Sequence, residues 1–242
     1  MTAIIGSGGC APADVAATRA ALHRVAEHVL APALYQATGR IDLVPSPGGF
    51  RTPPFGADGR FLAVDGAELV VGGASGARRT TLTTVRAAAD FAGVTAGAPA
   101  QVYKPATPLD LDEPPTIEPG AARLLADWYS LGAQAMSLFA AEIPDDEPSA
   151  ARLWPEHFDL GITAGAINYG ASPGDDHFTD PYVYVGPHDG PPQGEPGFWN
   201  APFGAARTIR DITTVQEAVA FFRDGRARVL AHATTSRTRR TP

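Results

Sequence analysis

The sequence predicts an α+β fold in which two related units share one core, each unit being a helix, an antiparallel meander and a second helix. Two long segments, residues 13–37 and 119–142, repeat apolar residues at the spacing of a helix with one buried face. The short apolar stretches between these segments are separated by Gly and Pro, as in antiparallel hairpins. Helices and antiparallel hairpins in separate runs are typical of the α+β class.

An internal similarity is the reason for predicting two related units. Residues 41–48 match residues 167–174 at an offset of 126, and residues 83–91 match residues 213–221 at an offset of 130. Two matches at nearly the same offset indicate a duplicated order of elements. Chance similarity in a chain rich in Ala, Gly and Pro is the alternative.

The predicted elements of the first half are a long helix, three strands and a short helix. The long helix covers residues 13–37 and ends at Gly39, a residue type that suits the end of a helix. Thr83 or Thr84 caps the short helix, which Gly93 terminates. The three predicted strands between these helices are residues 41–44, 60–64 and 68–71.

A Pro-rich stretch separates the two halves. Residues 95–118 contain five prolines and show little periodicity, which predicts an extended connector. The predicted organisation is therefore an N-terminal unit (1–94), this connector and a C-terminal unit (119–242) that ends in a basic tail. The same pattern is compatible with a single domain.

The second half repeats the order helix, strands, helix. Pro119 suits the first turn of the helix over residues 119–142. The last helix covers residues 214–231 and begins with Thr214 and Glu217, which have the spacing of a capping box. The predicted strands between these helices are residues 152–163, 166–169 and 182–185.

Composition narrows the classes of partner. The chain has 242 residues and a formal net charge of −7, which argues against nucleic acid as a partner. No apolar run approaches the roughly 18 residues of a membrane helix, so we expect no membrane partner. The first ten residues lack the features of a signal peptide, so we expect a cytoplasmic protein. The single cysteine excludes a metal cluster held by several thiolates.

The stretch from Trp154 to Thr163 carries the candidate chemistry. As one strand with alternating faces, it directs Phe158, Leu160 and Ile162 to the core and places His157 and Asp159 on the opposite face. A carboxylate beside an imidazole orients the ring and raises its pKa, so we predict these two residues as catalytic candidates for general acid–base work.

Aromatic residues concentrate in the same region, between residues 154 and 204. Aromatic walls with a few polar groups are typical of small-molecule pockets, so we predict a domain that binds or converts a small molecule there. The sequence identifies neither the ligand nor the oligomeric state. The predicted ligand-binding residues are Trp154, Glu156, His177, Tyr182, Tyr184, Trp199 and Asn200.

Two alternatives use the same sequence features. Histidines and carboxylates also suit a divalent metal, which gives a metal-dependent hydrolase or oxygenase with His157, Asp159, Asp175 and His177 as ligands. The other alternative is a non-catalytic partner-binding or scaffold protein. His23 and His28 are five residues apart on the first helix, so we predict that they are surface residues rather than an i, i+4 metal pair.

Four segments resemble the C-terminal half of a family of uncharacterised bacterial proteins, and more distantly a larger domain of unknown function. The resemblance covers about 80 to 100 residues well and supports the integrity of the fold. It implies no activity and no catalytic residue. The segments are residues 153–159 (LWPEHFD), 170–175 (GASPGD), 181–187 (PYVYVGP) and 198–204 (FWNAPFG).

Overall fold

The computed structural model describes residues 11–238, with side chains up to residue 233. The described residues have the predicted α+β fold, and their strands form two five-stranded antiparallel sheets where three strands were predicted in each half. Each sheet is a meander of consecutive strands, and each meander is preceded and followed by helix. Most of the predicted basic tail lies outside the described residues. Within the described part of the chain, no helix is long and apolar enough to cross a membrane.

The chain divides into two compact units, which are described separately. Among the described residues, the first unit comprises residues 11–130 and Arg152–Leu160. The second unit comprises Leu131–Ala151 and residues 161–238. One long helix, α4 (Pro119–Glu142), begins in the first unit and ends in the second.

The first unit begins with the predicted long helix, which is present but interrupted. It consists of α1 (Pro12–Val25), a π-helical turn (Ala26–Leu30) and α2 (Ala31–Thr38). Gly39 ends it at a φ of 73°, a conformation that glycine adopts without strain. The sheet strands that follow are β1 (Val44–Ser46), β2 (Gly49–Arg51), β3 (Phe61–Asp65), β4 (Glu68–Gly73) and β5 (Gly76–Thr81).

The short helix α3 (Val85–Ala92) follows this sheet. Thr84 is its N-cap and accepts a hydrogen bond from the amide of Ala87, which confirms one of the two predicted caps. The strand predicted over residues 41–44 lies later in the chain than expected: Leu43 forms an isolated β-bridge, and β1 begins at Val44. Strand β5 lies at the edge of the sheet and was not predicted.

The second sheet follows helix α4, which has the predicted bounds. Its strand order is β10-β9-β8-β7-β6. The final helix, α5 (Val215–Thr238), begins with the predicted capping box, in which Thr214 and Glu217 exchange side-chain and main-chain hydrogen bonds. The strands are β6 (Arg152–Trp154), β7 (Asp159–Ala164), β8 (Ile167–Ser172), β9 (Tyr182–Pro187) and β10 (Ala205–Thr208).

Aromatic side chains form the core of the second unit. The rings of Phe139, Tyr169 and Phe222 contact one another with centroids 4.7–5.7 Å apart. All three side chains are almost completely buried, and so are Val183 and Val185 on strand β9. Burial of these large apolar surfaces is the main force that holds helix α5 and the end of helix α4 on the sheet.

Candidate functional site

A buried polar cluster lies in the first unit, around the π-helical turn. It combines residues from helix α1, the π-helical turn, the predicted connector and the turn after strand β6. We call it the polar cluster. Its members are His23, Glu27, His28, Tyr103, Thr107 and Glu156.

The π-helical turn brings two of these members into the interior. All five of its residues are buried, and the amide of Ala31 bonds to the carbonyl of Ala26, five residues back. Pro32 has no N–H, so the carbonyl of His28 has no amide donor four residues further along the helix. That carbonyl accepts a hydrogen bond from the amide of Gly97 instead, at 3.0 Å. Single π-helical turns inside α-helices often occur at functional sites.

Glu27 fixes the predicted connector to this helix. Its side chain has no solvent-accessible surface, yet its carboxylate accepts hydrogen bonds from the amides of Ala106 and Thr107 at 3.0 and 2.7 Å. The hydroxyl of Thr107 donates a third hydrogen bond to the same carboxylate at 2.5 Å. A buried carboxylate with these donors is well compensated for the loss of water.

His28 holds the connector at two points. The amide of Ala98 donates to Nδ1 at 3.0 Å, so the proton of the neutral ring is on Nε2. Nε2 then donates to the carbonyl of Thr107 at 3.1 Å. Burial lowers the pKa of His28 and favours this neutral form. The prediction that His28 is a surface residue is wrong, because only 1% of it is exposed.

His23 joins the polar cluster to the turn after strand β6. Its Nε2 donates to the carbonyl of Pro155 at 2.7 Å, and its ring stacks on Phe158 with centroids 4.9 Å apart. Its side chain is only 15% exposed, and Nε2 is 3.8 Å from a carboxylate oxygen of Glu27. Burial lowers the pKa of His23, although the charge of Glu27 opposes this effect. The prediction of a surface position is therefore wrong for His23 as well.

A turn replaces the single strand predicted over residues 152–163. Strand β6 ends at Trp154, residues 155–158 form the turn, and strand β7 begins at Asp159. Phe158 has a φ of 53°, which is unusual for a residue with a large side chain. The hydroxyl of Tyr129 donates to the carbonyl of Phe158 at 2.6 Å and helps hold it there. Non-glycine residues in this conformation cluster at functional sites.

This turn separates the two predicted catalytic residues. His157 lies in the turn and is exposed, whereas Asp159 begins strand β7 and is half-buried. The predicted alternation that placed both on one strand face is therefore wrong. The prediction that Phe158 is in the core is confirmed, and so are those for Leu160 and Ile162. Trp154, a predicted ligand-binding residue, is 39% exposed.

Glu156 and Tyr103 differ from the rest of the polar cluster in their hydrogen bonding. One carboxylate oxygen of Glu156 and the hydroxyl of Tyr103 are both buried, and neither has a hydrogen-bond partner within the described part of the chain. Burial raises the pKa of Glu156, against the opposing effects of a hydrogen bond from its own amide and of the charge of His157. Burial also raises the pKa of Tyr103, and the charges of Glu27 and Glu156 add to this effect. The phenol of Tyr103 therefore keeps its proton at neutral pH and can donate a hydrogen bond.

In the second unit, the carboxylate of the predicted metal ligand Asp175 is hydrogen-bonded to donors of residues 177–182. Its carboxylate accepts hydrogen bonds from the amides of His177 and Phe178, both at 2.7 Å, and from the hydroxyl of Tyr182 at 2.6 Å. The side chain of His177 is exposed and packs edge-on against Phe178. Among the described residues, no group of three or more His, Cys, Asp or Glu side chains could hold a metal ion.

The aromatic residues predicted as a pocket wall lie partly on strand β9. Tyr182 is buried and Tyr184 half-buried, with ring centroids 6.2 Å apart. A Cβ atom at Gly170 would lie 2.3 Å from the ring of Tyr184, so this glycine gives the ring space on the sheet. Asn200 bonds both ways to the main chain of Ala206 and closes the loop before strand β10. Trp199 is buried, with 8% of its surface exposed.

A cleft of about 400 Å³ opens in the first unit, between the end of helix α2 and the start of the predicted connector. It does not use any residue of the predicted pocket region, 154–204. Its walls are Pro32, Tyr35, Gln36 and Gly39 on one side and Gly97, Ala98, Pro99 and Gln101 on the other. Because His28 binds both Gly97 and Ala98, the π-helical turn also positions one wall of this cleft.

Comparison with known proteins adds no relative. No family model matches the chain, and neither does a curated protein or a solved structure.

Proposed function

We propose that this chain binds a small polar molecule at Glu156 and Tyr103 and can exchange a proton with it. The observation that carries the proposal is the contrast within the polar cluster. Glu27 and His28 use their polar atoms to hold the connector, whereas Glu156 and Tyr103 have buried polar atoms that serve no such contact. A buried polar atom without a partner costs stability, and in native proteins it requires an explanation.

The chemistry of the two groups supports a role in acid–base work. Tyr103 offers an O–H to an acceptor atom of the ligand, such as a carbonyl oxygen. Burial raises the pKa of Glu156 above its ordinary value, a shift that favours a group able to take up a proton as well as release one. Perturbed pKa values of this kind concentrate at functional sites.

Stability measurements test whether the two groups are structural. Tyr129→Phe removes a hydroxyl that donates to the carbonyl of Phe158, so we expect a loss of about 1–3 kcal/mol. Tyr103→Phe removes a hydroxyl without a partner, so we expect no loss or a gain. Glu156→Gln should likewise gain stability, increasingly as the pH rises above 4.5, because folding raises the pKa of Glu156 and therefore disfavours its charged form.

Ligand binding then tests the function itself. Small ketones, aldehydes, amides and carboxylic acids are tested for their effect on the thermal midpoint of the wild-type chain. We expect that a compound which raises this midpoint will raise it less in Tyr103→Phe and Glu156→Gln. The proposal fails if both variants lose as much stability as Tyr129→Phe, or if they bind the compounds as the wild type does.

We also propose that the protein is cytoplasmic and that its two halves arose by duplication. The resemblance to the family of uncharacterised bacterial proteins is a further part of the proposal. The resembling segment 153–159 contains Glu156 and the turn that positions it. A shared site is therefore expected at this turn if the resemblance reflects common ancestry.

A further inference from the structure

The cleft between helix α2 and the connector is a second feature that could hold a ligand. Neither Glu156 nor Tyr103 lines this cleft, so an inference about the cleft does not depend on the function proposed above. Its volume of about 400 Å³ falls within the range of roughly 300–1,000 Å³ typical of small-molecule sites.

The side chains that line the cleft define the kind of ligand it suits. None of its eight lining residues carries a formal charge. Gln36 and Gln101 each offer an amide with both donors and an acceptor, and Tyr35 offers an aromatic ring. A charged ligand would find no opposite charge in these walls, whereas a flat neutral ligand could contact the ring and the amides together.

One wall of the cleft is held in place before any ligand binds. Gly97 donates to the carbonyl of His28 and Ala98 to its ring, both at 3.0 Å. Gly97 has a φ of 134°, a conformation that side chains rarely allow, so the path of the main chain along this wall depends on glycine. A wall that is already ordered reduces the entropy that binding must overcome.

We propose that this cleft binds an uncharged, planar ring compound with amide-type donors and acceptors, such as a free nucleobase or an aromatic carboxamide. Tyr35 contacts the face of the ring, and Gln36 and Gln101 bond its polar edge.

The test uses matched pairs of neutral and charged probes. Nicotinamide and nicotinate differ only by an amide in place of a carboxylate, and uracil and orotate differ by an added carboxylate. Each probe is titrated into the full chain while the amide resonances of Gly97, Ala98, Ala100 and Gln101 are followed by NMR. We expect saturable shifts at millimolar concentrations for at least one neutral probe, and binding at least tenfold weaker for its charged counterpart.

Variants then locate the binding. Tyr35→Ala and Gln101→Ala should each weaken the neutral probe at least fivefold, whereas Gln216→Ala, an exposed glutamine on helix α5, should leave binding unchanged. Tyr103→Phe should also leave it unchanged, which separates this site from the proposed function. The inference is overturned if neither neutral probe shifts residues 97–101, if the charged probes bind equally well, or if Tyr35→Ala binds as the wild type does.

Discussion

Replacing Glu27 tests the claim that the π-helical turn holds the connector. In Glu27→Ala, the amides of Ala106 and Thr107 and the hydroxyl of Thr107 lose their acceptor. A buried donor without an acceptor costs about 1–3 kcal/mol. Because Ala106 is exposed and Thr107 half-buried, water can replace part of what is lost, so we expect a total of about 3–5 kcal/mol. For a chain of this length, that loss corresponds to a fall of roughly 10 °C in the thermal midpoint.

Glu27→Gln gives a graded second measurement. The amide side chain retains one acceptor oxygen, but its NH₂ group faces a donor instead of accepting from it. We therefore expect a loss between those of the wild type and Glu27→Ala, at about 1–2 kcal/mol. Both variants are compared with the wild type by urea denaturation and by hydrogen exchange at the amides of Ala106 and Thr107.

The matched control is Glu68→Ala, which removes a carboxylate that is half-exposed and paired with Arg79. Surface ion pairs contribute about 0–1 kcal/mol, so this variant should differ little from the wild type. The reasoning is refuted if Glu27→Ala is as stable as Glu68→Ala. It is equally refuted if the amides of Ala106 and Thr107 exchange no faster in Glu27→Ala than in the wild type.

Two further predictions concern single contacts. Folding lowers the pKa of His28, so the contribution of its neutral ring to stability is present above about pH 6.5 and is lost as the pH falls through the lowered pKa. Hydrogen exchange at the amide of Ala98, which donates to Nδ1 of His28, should then become faster. His28→Gln should remove this pH dependence. Gly170→Ala places a Cβ atom 2.3 Å from the ring of Tyr184, so we expect its free energy of unfolding, measured by denaturation, to fall by about 1–3 kcal/mol. The control is Gly197→Ala, whose Cβ atom meets nothing within 4 Å and which should lose little stability. Equal losses in the two variants would contradict the packing argument.

The helices could be predicted closely because the signals for their ends are local. Gly39 and Gly93 end helices with φ values of 73° and 67°, and Thr84 and Thr214 cap the helices that follow them. Each of these signals acts within four residues, so no knowledge of distant contacts is needed. Strand β5 escaped prediction for the opposite reason. Its sequence, GARRTT, is mostly exposed and shows no apolar alternation, so only its pairing with strand β4 makes it a strand.

The site was harder to predict because two local irregularities redirect its side chains. His23 and His28 are five residues apart, a spacing that separates them on an α-helix, but the π-helical turn widens the helix between Ala26 and Leu30. Pro32 is the visible signal, since a proline inside a predicted helix removes a hydrogen bond. Pro155 is the corresponding signal in the second case, because a proline inside an apparent strand argues against that strand. Glu156 was predicted as a binding residue, whereas Tyr103 and Glu27 lie in segments without a recognisable motif.

The polar cluster combines two kinds of buried polar residue, and their opposite effects on stability make the assignment testable. Glu27 and His28 satisfy the main chain of the connector, so removing either should loosen the fold. One carboxylate oxygen of Glu156 and the hydroxyl of Tyr103 are buried without a partner in the described part of the chain, so removing either group should not loosen the fold. A cluster that served only to stabilise the unit would lose stability at all four positions. If Glu27 and His28 stabilise the unit and Glu156 and Tyr103 do not, the second pair behaves as expected for a ligand-binding site. Groups that bind a ligand often lower the stability of the protein and are kept for their function.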